Sequence, residues 1–389
     1  MIYLDHNATT PLHPRAREAV LAALDLVGNP SSHHAAGRAA RKLVEDAREA
    51  VARAVSAEPA EVVFTSGGTE AIDLGMRGAA RAARAARRGR HVLVGAAEHA
   101  CVIAAARALE GDGFEVAVVP VDGDGRVRPE VLAAAARADT VVACVQSAGN
   151  ETGAENEVPA LAAALRARAP QAVLLCDAVQ TLGRRPLDVR ALGADLVALS
   201  AHKAHGPKGV GALVVRRGTA LEPVLRGGGQ ERERRAGTEN VPGIAGFGAA
   251  ASIAPELVEA QSARVRPLRD ALHARLREGI PDLIVNGPPL DDQGRLPNTV
   301  NVSFPGIDGD TLRIALDLEG VCVSGGSACA SGASEPSHVL LALGRTRDEA
   351  RAAVRYSLGA GTTPAEIETA ASATLEIVNR LRTRAGARR

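Results

Sequence analysis

Lysine is nearly absent from this chain: of 46 basic residues only Lys42, Lys203 and Lys208 are lysines, and the others are arginine. Arginine replaces lysine as a surface charge but cannot give up its proton to become a nucleophilic amine, so each surviving lysine invites a chemical role. Cysteine is scarce and shows no pairing pattern. Cys101, Cys144, Cys176, Cys322 and Cys329 are odd in number, scattered and free of any C-x-x-C, which argues against a disulfide framework or a zinc site. No apolar run approaches membrane-spanning length. Asp5 and His6 stand where a secretory signal would carry a basic stretch and an apolar core, so no such signal is expected. The net charge of +1 leaves no field to gather nucleic acid or anionic lipid. The expectation is a reduced, cytoplasmic protein without a direct nucleic-acid partner and without a membrane.

With 389 residues the chain is about two to three times a usual domain length, enough for one large or two medium domains. From about residue 15, alanine-rich amphipathic stretches alternate with short Val/Leu-rich runs, the pattern of repeated βα units and a mainly parallel sheet. Strands are predicted at Glu61 to Thr65, His91 to Gly95, Phe114 to Val119, Thr140 to Val145, Ala172 to Cys176 and Leu196 to Leu199. Val210 to Val215 follows too closely for a parallel crossover and is expected to pair antiparallel. Arg226 to Gly243, rich in glycine and charge, reads as an ordered functional loop. A long helical stretch is predicted from about Ile253 to Glu278. Beyond it, strands at Val300 to Phe304, Val321 to Ser324 and Ala353 to Ser357 and a helix from Pro364 to Arg382 make a smaller α+β part, followed by a solvated basic tail, Thr383 to Arg389. The predicted division is a large domain, 15–252, and a small domain formed by 1–14 and 253–389.

In an open parallel sheet, ligands bind outside the carboxyl ends of the strands. Polar residues follow five predicted strands there: Ser66-Gly67-Gly68-Thr69, Glu98-His99, Gly149-Asn150-Glu151, Asp177 with Gln180, and Ser200-Ala201-His202-Lys203. Gly68 and Thr69 open a helical stretch whose backbone N–H groups suit a phosphate, although a plain glycine turn would look the same. Lys203, among apolar strand ends, is placed to have its amine pKa lowered and to form an imine with an aldehyde; local sequence is equally compatible with a salt-bridge lysine. Asp177 emerges from a buried strand, where a carboxylate needs a cation such as a protonated pyridine nitrogen; an ordinary strand-end aspartate is the alternative. Cys322, between Val321 and Val323, reads as a buried structural cysteine. Asp122-Gly123-Asp124-Gly125 hints at a calcium loop, but Ala133 stands where the terminal glutamate belongs, so it reads as a turn.

The motifs together carry a resemblance. Tyr3-Leu4-Asp5-His6-Asn7-Ala8-Thr9-Thr10-Pro11, Asn29-Pro30-Ser31-Ser32, Phe64-Thr65-Ser66-Gly67-Gly68-Thr69-Glu70, Asn150-Glu151-Thr152-Gly153, Ser200-Ala201-His202-Lys203, Gly228-Gly229-Gln230-Glu231, Arg235-Ala236-Gly237-Thr238-Glu239-Asn240 and Ser327-Ala328-Cys329 run in order along nearly the whole chain. This ordered set resembles the NifS/IscS cysteine desulfurases.

The resemblance implies a fold-type I, pyridoxal 5'-phosphate (PLP)-dependent enzyme of the class V aminotransferase group, α/β with a mainly parallel sheet and a smaller α+β domain, acting as a homodimer. It implies that Lys203 holds the cofactor as an imine, that Gly68, Thr69, Ser200 and His202 surround the phosphate, and that Thr238 reaches the phosphate in the neighbouring subunit. Asp177 would pair with the pyridine nitrogen, Gln180 and Asn150 would lie near the phenolic oxygen and substrate, and His99 would stack on the ring in a chain with no tryptophan. Arg355 would bind the carboxylate of L-cysteine, a task suited to a guanidinium fork. Cys329, in a run of small residues, would take the sulfur as a persulfide and pass it to an acceptor such as an iron–sulfur scaffold or a tRNA-thiolation protein. Two positions depart from the family pattern: Gly149 replaces a common asparagine and Ala236 a common serine. The rivals are a selenocysteine lyase, an aminotransferase, or a non-enzymatic sulfur carrier. Cys329 argues against an aminotransferase, and Lys203 and Asp177 against a carrier.

Overall fold

The computed structural model describes residues 1–325 and 335–386. Among the described residues twelve strands run in chain order: β1 (Ile2–Tyr3), β2 (Val62–Thr65), β3 (His91–Gly95), β4 (Glu115–Val119), β5 (Thr140–Gln146), β6 (Val173–Asp177), β7 (Leu196–Ser200), β8 (Gly211–Val215), β9 (Ile284–Asn286), β10 (Thr299–Ser303), β11 (Val321–Cys322) and β12 (Ala353–Ser357). Seven of them form one sheet in the order β2-β8-β7-β6-β5-β3-β4. β8 runs antiparallel to both its neighbours, and the other pairs are parallel.

Between their terminal residues the central strands β5, β6 and β7 are apolar, because helices cover both faces of a parallel sheet. Period-2 alternation sends Ala143 and Val145 of β5 into one core and Val142 and Cys144 into the other. Every polar group at these strand ends is therefore displaced to the rim where the strands stop. A third core, containing Leu4, Leu272, Val302 and Tyr356, surrounds the antiparallel sheet β12-β10-β9. The N-terminal segment ties the two regions together: His6 N–H donates to Ser357 O at 3.0 Å and Asn7 N–H to Ser357 Oγ at 2.9 Å on one side, and Thr10 N–H donates to His202 O at 2.9 Å on the other.

Several expectations are corrected. The helical stretch expected from about Ile253 to Glu278 is present over Ala254–Gly279; what differs is that its middle turn, Gln261–Val265, is a π turn and that a further helix, Val241–Ser252, precedes it. Pro255 and Pro267 lack an N–H to continue the ladder, and each opens a new segment in its first turn. Val241–Ser252 also shortens the loop expected to reach Gly243. The helix Pro364–Gly386 takes in Thr383, so the expected basic tail is helical up to Gly386. Cys322 is only half-buried; Cys144 and Cys176 are the buried thiols. Asp122 to Gly125 is a turn, with Asp122 Oδ1 accepting from Asp124 N and Arg126 N. Among the described residues no single helix is long and apolar enough to cross a membrane; the pair Val241–Ser252 and Ala254–Gly279 meets that test only jointly and is bent by 49°.

The segment from Arg226 to Asn240 is ordered by one buried ion pair. Glu231 accepts from both Arg48 Nη atoms at 2.7 and 2.8 Å and from Phe64 N at 2.8 Å. Three successive residues, Glu231, Arg232 and Glu233, hold φ of 47°, 58° and 63°. Each left-handed L-residue costs roughly 1–2 kcal/mol, which the buried pair must offset. Glu231→Ala strands the Arg48 guanidinium in the core and is expected to lower stability by about 3–5 kcal/mol. Urea unfolding of purified protein measures this; an unchanged midpoint would show that the pair does not anchor the loop.

Candidate active site

The rim formed by the ends of β2, β3, β5, β6 and β7 encloses one pocket. Gly68 and Thr69, His99, Asn150, Asp177 and Gln180, and Ser200, His202 and Lys203 all line it. Nine residues singled out from sequence thus converge from five strand ends, as the strand-end rule requires. Arg355 lies at its edge on β12, 2 % exposed, donating from Nη1 to Asn150 O at 3.0 Å and from Nη2 to Asp5 Oδ1 at 2.6 Å. Thr238 is exposed on the loop after Glu231 and does not line this pocket. Cys329 lies outside the described residues.

One end of the pocket is suited to an anion. The helix Gly68–Ala85 begins there with no side-chain cap from Gly67, so its first N–H groups lack carbonyl partners. Ser200 Oγ is buried without a hydrogen-bond partner beside it. A Cβ on Gly68 would stand 2.8 Å from Val179 Cγ2, which explains why the residue closing this end has no side chain. His202, which bonds Thr9 Oγ1 at 3.2 Å, is pushed down to about pKa 4 by burial and then by the charges of Lys203 and Lys208. It is neutral at physiological pH.

At the floor, Asp177 is 7 % exposed and accepts a 3.0 Å hydrogen bond from Val179 N–H. Burial raises its carboxyl above the ordinary range, and that N–H, His99 and Lys203 offset this only in part. A buried carboxyl in this condition gains from a cation held against it. Gln180 Nε2 donates to Asn7 O at 3.1 Å, while its Oε1 is buried without a partner. His99 caps the helix Ala100–Gly111, its Nδ1 accepting from Cys101 N at 3.2 Å. The neutral ring therefore carries its proton on Nε2.

Lys203 Nζ donates to Asn7 O at 2.6 Å and Ala8 O at 2.7 Å. Burial lowers its pKa to about 8, helped by the Arg184 and Arg355 charges and opposed by Asp5 and Asp177. An amine with this pKa keeps a neutral fraction of roughly a tenth to a fifth near physiological pH, far more than an exposed lysine, and the neutral form is the nucleophile for an aldehyde. Among the described residues no group of three or more His, Cys, Asp and Glu side chains is arranged to hold a metal ion.

Three contributors were missed in the sequence. Cys101 lines the pocket with Sγ 3.0 Å from His99 Nδ1, its thiol pushed up to about pKa 12 by burial. Its position in the turn after Glu98-His99 was the available signal. Arg184 is a buried cation held by main-chain carbonyls, Gln180 O and His6 O, each at 3.0 Å. Asn7, within a recognised motif, anchors the main chain facing Lys203. The two departures are accommodated: a Cβ on Gly149 would find no heavy atom closer than 3.4 Å, and Ala236 is buried with its N–H on Leu225 O.

The class-V aminotransferase family model matches residues 2–369. A cysteine desulfurase IscS of Dictyoglomus turgidum is 41 % identical over 383 residues, covering 98 % of this chain and 95 % of the relative. A solved NifS-like protein superposes with a TM-score of 0.90 at 36 % identity, covering 97 % of this chain and 99 % of that one. A solved complex of SspA with cysteine superposes with a TM-score of 0.79 at 29 % identity, covering 93 % of this chain and 100 % of that one. Fold, rim and likeness agree: the chain belongs to the class-V aminotransferases and, among them, to the NifS/IscS cysteine desulfurases.

Proposed function

We propose that this chain takes the sulfur atom of L-cysteine onto Cys329, leaves L-alanine and passes the sulfur to an acceptor protein, using PLP bound at the β-sheet rim. The observation that carries the reading is the joint placement of a depressed lysine amine, a buried carboxyl short of a cation and an uncapped helix N-terminus around one pocket. Those groups match the aldehyde, the ring nitrogen and the phosphate of PLP, on which the family depends in general. When bound, the cofactor acts as an electron sink for the substrate's α-carbon.

In this reading Lys203 attaches the cofactor. Gly68, Thr69, Ser200 and His202 hold its phosphate, Asp177 pairs with its ring nitrogen, and His99 covers its face with Nε2–H available near substrate. Gln180 and Asn150 orient the phenolic side, and Arg355 receives the substrate carboxylate. Lys203, positioned beside the cofactor, would take the proton from Cα and give it back as alanine forms. The Cys329 thiolate attacks the substrate sulfur: an S–S bond forms, the C–S bond breaks with its electron pair left on carbon, and that carbon takes up a proton. The net change is cysteine plus Cys329 thiol giving alanine plus Cys329 persulfide. Thr238, exposed and away from its own pocket, is assigned to the partner subunit's phosphate in a homodimer. The division into 15–252 and 1–14 with 253–389 belongs to the same proposal, as do a cytoplasmic setting and an iron–sulfur scaffold or tRNA-thiolation protein as acceptor.

Incubation of the purified chain with PLP, L-cysteine and a reductant is expected to yield alanine and sulfide in equal amounts. Pyruvate in place of alanine, or alanine without sulfide, would overturn the proposal. The Lys203 pKa adds a pH dependence. Only the neutral amine attaches an aldehyde, so PLP uptake by the cofactor-free chain should quicken about tenfold per pH unit up to about pH 8 and then level off. A rise continuing to about pH 10 would show that the amine titrates like an exposed lysine.

A further inference from the structure

The N-terminal segment presents its main chain to Lys203. The carbonyls of Asn7 and Ala8 both accept from Lys203 Nζ, at 2.6 and 2.7 Å. Both oxygens converge on one amine, and the segment that carries them is densely braced. Asn7 Nδ2 donates to Asn150 O at 3.0 Å and to Thr299 Oγ1 at 2.9 Å, and Asn7 Oδ1 accepts from Asn298 Nδ2 at 3.0 Å. Gln180 Nε2 holds Asn7 O and Arg184 Nη2 holds His6 O. The His6 ring lies over Gly359, where a Cβ would come within 2.1 Å of it. Asn7 is 1 % exposed, so its carboxamide gains these bonds with no water to compete.

We propose that the Asn7 and Ala8 carbonyls form a seat for the Lys203 ammonium whenever substrate displaces it from the cofactor, and that the Asn7 carboxamide is the positioning group that holds the seat in place. The inference rests on the PLP reading above and deepens it: the amine that substrate releases needs a place that is polar, buried and within reach of Cα. Two carbonyl oxygens solvate a charge that burial otherwise disfavours. The charged and titratable groups facing this amine are Arg184 and Arg355, which oppose its charge, and Asp5 and Asp177, which favour it. His99 and His202 stand on the pocket side, and His6 and His205 line the opposite side of the lysine. Both of the latter are held below their ordinary pKa by burial, so they stay neutral through the range in which Lys203 titrates.

The scarcity of lysine makes the test clean. Protein labelled with 13C at the lysine ε-carbon contains only Lys42, Lys203 and Lys208 as labelled sites, assigned by single Lys→Arg replacements. In the cofactor-free full-length chain, Asn7→Ala is expected to make Lys203 titrate about one pH unit lower than wild type, because a hydrogen bond to a charged group weakens. Lys42 and Lys208 should not move. Thr299→Val, which removes one brace at nearly constant volume, should shift Lys203 in the same direction by less, and it serves alone if Asn7→Ala does not fold. In the PLP-loaded protein, L-alanine should bind roughly tenfold more weakly to Asn7→Ala than to wild type, the equivalent of that pKa change. If PLP leaves the Lys203 resonance of wild type unmoved, the functional reading fails and the seat loses its use with it. If PLP moves that resonance but Lys203 titrates identically in wild type and both variants, the seat alone is overturned.

Discussion

Lys203→Ala is expected to abolish alanine formation, with a loss of about 10³-fold or more, and to remove the visible absorbance of the PLP-loaded protein. The size follows from two tasks resting on one group. In the proposed reading the amine attaches the cofactor and also moves the Cα proton, a contribution of roughly 10²–10⁴-fold by itself. Neither Lys42 nor Lys208 can substitute: Lys42 is exposed on another helix, in an ion pair with Asp46 at 2.6 Å, and Lys208 does not line the pocket. Lys203→Arg should be equally inactive, because a guanidinium keeps its proton and cannot act as a nucleophile. Turnover within tenfold of wild type in Lys203→Ala would remove Lys203 from the mechanism. Retained folding, checked by urea midpoint, separates loss of chemistry from loss of structure.

The second large effect is the reverse in character. Cys329→Ala should load PLP with unchanged absorbance and still bind L-cysteine, yet lose sulfide and alanine together by about 10³-fold, since the attacking sulfur is gone while the rim is intact. No other cysteine is suited to take over: Cys322, half-buried on β11, does not line the pocket, and its thiol is pushed up by burial and then by Asp317. Burial lifts the Cys101 thiol to about pKa 12, and Cys144 and Cys176 lie wholly inside the sheet's cores with their thiols pushed up by burial as well. A thiol so far above neutral pH presents almost no thiolate, the form that attacks sulfur. Full activity of Cys329→Ala would point to a lyase that releases sulfur without a protein nucleophile.

The rim was legible because strand ends announce themselves. Apolar runs such as Val173–Asp177 and Leu196–Ser200 must stop where polar residues begin, and in a parallel sheet those stops share one edge. The antiparallel β8 was legible from the brevity of its connection. The Asn7 seat was not, because it works through main-chain oxygens, which every residue possesses, and meets Lys203 across 196 positions of sequence. Arg184 was hidden among the many arginines. Only the fold shows that it is buried on carbonyls, its pKa lowered to about 10 by burial and then by Arg355. Cys322 was misjudged from its valine neighbours: it lies on a two-residue strand pairing with β1, and that pairing leaves its side chain half-exposed.

The most direct test is to treat the PLP-loaded chain briefly with L-cysteine, without reductant, and to map by mass spectrometry which cysteine has gained sulfur. The account predicts one additional sulfur atom on the peptide carrying Cys329, matched by an equal amount of alanine, and none in Lys203→Ala. Sulfur on Cys101 instead, or alanine formed with Cys329 unmodified and free sulfide released at once, would contradict it.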